Sequence, residues 1–174
     1  LTEGESSGLW SVLRSSEDEV LKGSLLITLY ENLRWKTISP QGFREEMLAY
    51  LPNESNSLLF SMALSYLGDC QRIFPSDSRP LEQVLWKIVT TNPVSQHRLQ
   101  AFRLYRSIAD SEEAVQRLYT LWQERKAPKD CTLSESDYIG LSYMLAMHLP
   151  EKADKIIATQ LSRIQNPDRK KEYQ

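Results

Sequence analysis

The sequence predicts an all-α protein: a curved stack of antiparallel helix pairs, shaped like the HEAT and armadillo solenoids. Three observations predict it. Apolar residues recur at helical spacing through most of the chain, and no stretch keeps a strand-like alternation. Residues that start and stop helices punctuate that pattern. The links between the periodic stretches are short, which folds successive helices back on one another.

Residues 1–16 read as a linker or flexible N-terminal segment, and 17–174 as one helical domain. The first helix is expected from about Asp18 to Trp35 with Ser16 as its cap. Leu21, Leu25, Leu29 and Leu33 repeat four apart, and Leu26 and Tyr30 widen them into a core-facing stripe. The second helix opens at ISPQ, where Ser39 caps and Pro40 takes the first helical position, and Pro52 ends it. A third runs from about Glu54 to Arg72 with Leu59, Met62, Ala63, Tyr66, Leu67 and Cys70 on one side. FPSDSRP breaks the pattern before a helix over about Leu81 to Thr91, with Leu81, Leu85, Ile88 and Val89 inward.

After TNPVS, Ser95 is expected to cap a helix carrying Leu99, Phe102, Tyr105 and Ile108. Ser111 caps the next, whose stripe is Val115, Leu118, Tyr119 and Trp122. The loop KAPKDCTLSESD ends in a capping box, Ser134 with Asp137, and the helix it starts reaches about His148 before Pro150. The eighth helix spans about Lys152 to Gln165 with Ala153, Ile156, Ile157, Leu161 and Ile164 inward. Asn166, Pro167 and Asp168 then begin a ninth; at about two turns, such a helix is marginal on its own and is expected to fray or be held by a neighbouring molecule.

With 174 residues, 41% of them hydrophobic, the chain can bury one sizeable core. A formal net charge of -2 in mixed short runs gives no footprint for nucleic acid, so none is expected as a partner. No apolar run approaches the ~18 residues of a membrane span. The chain opens on Leu1 with no signal-peptide pattern, as a piece of a longer precursor would.

The search for chemistry ends without a catalytic, metal or cofactor residue. A zinc peptidase helix needs H-E-x-x-H, and the two histidines here, His97 and His148, stand apart and read as solvated or capping. The six glycines are scattered singly, so no phosphate loop or nucleophile elbow forms. Cys70 and Cys131 read as small buried hydrophobes, with a disulfide left open. The neighbours in Glu45-Glu46 and Glu112-Glu113 diverge by about 100° on a helix and read as solvated acids. Glu31 and Asn32 interrupt an apolar run and are expected to pair with a neighbouring helix, for example with an arginine. Trp10, Trp35, Trp86 and Trp122 fall in different segments and read as core packing.

Five segments carry a resemblance, in order: GSLLITLYENLRWKTISPQGF, LPNESNSLLFSMALSYL, LEQVLWKIV, LSESDYIGLSYMLAMHLP and ATQLSRIQNPDRKKEYQ. Together they resemble the helical C-terminal domain of the aminopeptidase N family of gluzincin zinc aminopeptidases, of Bacteroidetes type. The resemblance covers nearly all of the chain after residue 17. It implies a non-catalytic cap over the active-site cleft that restricts access of peptides. It further implies that zinc sits in the catalytic domain of the same polypeptide, the principal partner, with the peptide substrate met indirectly. None of that family's catalytic or zinc-binding motifs has a matching position here, so no such residue carries over. Family members continue past the NPDR helix, so the domain is expected to be truncated at its C-terminus. The compartment stays open, with export to the periplasm as one option for the parent. The alternative reading is a free-standing helical-repeat scaffold that binds a peptide or protein on its concave face.

Overall fold

In the computed structural model, which describes residues 3–173, side chains hold free N–H groups at several of the helix starts. The helices are α1 Glu3–Ser15, α2 Glu19–Arg34, α3 Pro40–Tyr50, α4 Ser57–Ile73, α5 Arg79–Thr91, α6 Ser95–Ile108, α7 Glu112–Glu124, α8 Glu135–His148, α9 Ala153–Arg163 and α10 Pro167–Tyr173. Single 3-10 turns at Leu51–Asn53 and Pro150–Lys152 follow α3 and precede α9. No strand occurs among the described residues.

Ser39 accepts from the Gly42 amide at 3.0 Å, and Ser111 from the Ala114 amide at 3.2 Å, as the sequence predicts. Ser134 and Asp137 form the expected capping box. Two caps move. Asp18 rather than Ser16 holds the start of α2, through the amides of Val20 and Leu21, because its carboxylate adds charge at the positive end of the helix dipole. Ser95 is the first residue of α6 instead of its cap, and no side chain caps that helix; the Asn92 side chain binds the Val94 amide just before it. At the other ends, α2 and α7 close with Lys36 (φ 58°) and Arg125 (φ 53°) in the left-handed region, where glycine is the usual residue.

α2, α4, α6 and α8 lie side by side as one row. The second row covers them: α3 rests on α2 and α4, α5 on α6, and α7 and α9 on α8, while α1 lies against α2. The result is the curved stack of antiparallel pairs that the sequence predicts, with two helices beyond the eight complete ones expected. Phe43, Phe60, Phe102, Tyr105, Leu67 and Leu85 are fully buried between the rows. Each such side chain contributes about 1.5–3 kcal/mol by leaving water.

Several expectations are corrected, among them that of Trp35, which was expected in the core and is 79% exposed. The segment read as a linker, residues 1–16, contains α1, which buries Trp10 and Leu13 and sets the Trp10 ring edge-on to Phe43 at 5.6 Å. Leu21 is 41% exposed, since the buried stripe of α2 begins one turn later at Leu25. Glu31 pairs with Arg34 of its own helix at 3.5 Å, and Asn32 bonds to Thr28 and Thr37, so neither reaches across to a neighbouring helix. The segment after Pro167 is helical and is held by this chain itself. Asn166 caps it through the amides of Asp168 and Arg169, the Tyr173 hydroxyl lies 2.7 Å from Ser142 Oγ, and Arg169 pairs with Glu135. With α10 in place, Ile156 and Ile164 of the α9 stripe are buried and Ile157 and Leu161 half-buried.

Candidate functional site

The row of even-numbered helices carries an open groove of about 610 Å³ between α4 and α6. Small residues of α4, Ser61, Ser65 and Gly68, keep one wall low, and Leu64 and Leu104 supply apolar surface. Gly68 suits this approach, because a Cβ there would stand 2.9 Å from the Leu104 side chain.

Charged groups flank the groove, each fixed by a partner. Arg72 binds Asp69 at 2.8 Å, and Asp69 also accepts from the Tyr30 hydroxyl at 2.9 Å. The Tyr30 ring stacks flat on Tyr66 with centroids 4.0 Å apart, which ties α2 to α4. Across the groove, Arg103 grips the Asp137 carboxylate with two bonds of 3.0 and 3.2 Å while half its side chain stays exposed. Burial alone would push the Asp137 carboxyl up, but the Arg103 and Ser134 bonds outweigh it and hold the group below the usual range. Arg106 reaches the Asp137 carbonyl at 3.1 Å and lies over Gly140, where a Cβ would come within 2.7 Å of its guanidinium. The Oε1 of Gln100, on the groove lining, is buried without a hydrogen-bond partner. The groove thus offers an apolar floor flanked by guanidinium groups held in place, a surface along which an extended peptide can lie.

A second polar centre lies under the start of α4. Glu54 is buried and binds Lys22, the Tyr50 hydroxyl and, at 2.7 Å, the Asn56 amide. Burial pushes its carboxyl up, yet the bonds from Lys22, Tyr50 and Asn56 bring it below the ordinary range. His97, expected to be solvated or capping, is instead fully buried and stacked on Phe60 at 4.0 Å. Its Nε2 lies 3.0 Å from Ser57 Oγ, and its Nδ1 has no partner. Burial lowers its pKa, partly opposed by the Glu54 charge.

Ser57 with His97 has the distance of a nucleophile and its base but lacks the rest of that machinery. No acid orients Nδ1, the ring is sealed from solvent, and Asn56 already occupies the Leu58 and Leu59 amides at the helix start. The pair acts as a tie between α4 and α6.

The other sequence-level candidates stay apart. His148 is exposed, with its Nδ1 4.0 Å from Asp110. Cys70 and Cys131 are free thiols, and burial raises the pKa of each. Among the described residues no cluster of three or more His, Cys, Asp or Glu could hold a metal, and no helix is long and apolar enough to cross a membrane. Sequence reasoning missed Glu54, Gln100 and the burial of His97; Lys22, which pairs with Glu54, and Phe60 and Ser57, which meet His97, sit on other helices. Comparison with protein-family models, with curated proteins and with solved structures finds no match to this chain.

Proposed function

We propose that this chain is a non-catalytic helical cap of a zinc-dependent aminopeptidase, lying over the cleft of a catalytic domain in the same polypeptide and restricting which peptides enter. The observation that carries the reading is the groove between α4 and α6, which gives an extended peptide an apolar floor beside guanidinium groups held in place. The ordered resemblance supports it from the sequence side: its segments fall on α2–α3, the turn and α4, α5, α8, and α9–α10 of one stack. In this role the domain does no bond chemistry. It narrows the approach to the reacting centre and helps to exclude water and long or folded chains.

The test is made on the natural polypeptide that carries this sequence. Stoichiometric zinc, with chelator-sensitive release of N-terminal residues, supports the proposal. A polypeptide with neither refutes it.

A further inference from the structure

A second concavity, of about 410 Å³, lies between α5 and α7 on the other row of helices. Trp86 and Leu121, both half-buried, line it, and the loop that follows α7 closes one side through Pro128. That loop is bent at both ends. Arg125 (φ 53°) and Asp130 (φ 56°) are non-glycine residues in the left-handed region, and residues 126–129 between them fold back along the cleft.

The fold-back sets Lys126 and Lys129 on the cleft lining. Both are exposed, and neither has an ion-pair partner among the described residues. The third cation there, Arg117, lies over the Trp86 ring at 4.7 Å and is engaged by Glu113 at 2.5 Å. Glu124 is the one carboxylate on the lining. Two uncommitted ammonium groups therefore stand beside an apolar wall, in a chain whose overall charge is -2. Local charge of this sign around an apolar pocket selects a partner with an apolar anchor flanked by carboxylates.

We propose that the α5–α7 cleft docks a short acidic segment of a partner polypeptide, its apolar side chain against Trp86 and Leu121 and its carboxylates on Lys126 and Lys129. The cleft is open, so it encloses one or two side chains of a longer chain. It lies on a different row from the α4–α6 groove and does not depend on the cap reading.

The probe is a fluorescein-labelled peptide with the sequence DELFED, titrated with the 174-residue protein and followed by anisotropy. Two controls accompany it: QNLFQN, which keeps the anchor without the carboxylates, and DESSED, which keeps the carboxylates without the anchor. Saturable binding of DELFED, stronger than either control and weakened by salt, is expected. The double variant Lys126→Glu with Lys129→Glu touches only exposed, unpaired side chains; it should melt as the parent does and bind DELFED roughly tenfold more weakly. Equal binding of DELFED and QNLFQN, or binding indifferent to the charge reversal, overturns the proposal. So does the absence of peptide binding together with self-association of the protein that the double variant abolishes, because a second copy is then the occupant.

Discussion

Replacing Glu82 should cost more than any surface change of its size, and two substitutions separate the reasons. Glu82 is 5% exposed on α5 and forms no ion pair among the described residues, the nearby Arg79 being paired with Asp77. Its Oε1 accepts from Ser78 Oγ at 2.9 Å, the Asp110 amide at 2.8 Å and the Ser111 amide at 3.0 Å, while Oε2 accepts from Ser111 Oγ. This one carboxylate fixes the start of α7 against α5, and so also fixes the walls of the cleft between them. Glu82→Ala strands two backbone amides and two hydroxyls in a poorly solvated place and should cost about 3–5 kcal/mol. Glu82→Gln keeps the Oε1 contacts, and Ser111 can turn its hydroxyl to accept from the new amide, so the loss should be about 1–2 kcal/mol.

The assay is equilibrium urea unfolding of the three proteins, with the slope checked for constancy. pH gives a second handle. Burial pushes the Glu82 carboxyl up, but the Ser111, Asp110 and Ser78 bonds bring it below its ordinary value. A carboxyl lowered in the folded state stabilises above its unfolded pKa of about 4.3 and loses that contribution as the pH falls through the folded value. The gap between parent and Glu82→Gln should therefore narrow below about pH 4. Both variants falling within 0.5 kcal/mol of the parent, roughly the scatter of ordinary surface substitutions, would refute the reasoning.

Two further outcomes are expected. His97 has a lowered pKa because it is buried, so the unfolded chain binds the extra proton and stability falls from pH 7.5 to 5.5, by at most about 1.4 kcal/mol. His97→Phe should flatten that slope, and an imidazole titrating above its ordinary 6.5 in the folded protein would contradict the account. Lys36→Gly should raise stability by about 0.5–1 kcal/mol in thermal melts, because Lys36 is exposed and holds a left-handed φ of 58° that glycine adopts freely; a lower melting temperature would count against it.

Features whose partners are near in sequence were legible. The capping box at Ser134 and Asp137 and the Ser39–Pro40 start join residues no more than three positions apart. Features made by packing were not. α1 is rich in Ser, Gly and Glu, and the burial of Trp10 against Phe43 and of Leu13 shows why it is ordered. His97 could be read as solvated until α4 brought Phe60 and Ser57 onto it from 37 and 40 positions away. Glu82 lies in an apolar stretch and meets Asp110 and Ser111 only when α7 folds back on α5. The α4–α6 groove is a product of two facing helices, and no single stretch of sequence encodes it.

The most direct test of the cap reading is the length selectivity of the natural polypeptide with Ser65→Trp in the groove. Ser65 is exposed on α4, so the variant should fold, and the indole would occupy the space proposed for the distal part of a peptide. The account predicts a several-fold rise in KM for long peptides, with kcat/KM for a single-residue aminoacyl reporter unchanged. Long and short substrates affected equally, or neither affected, would contradict it.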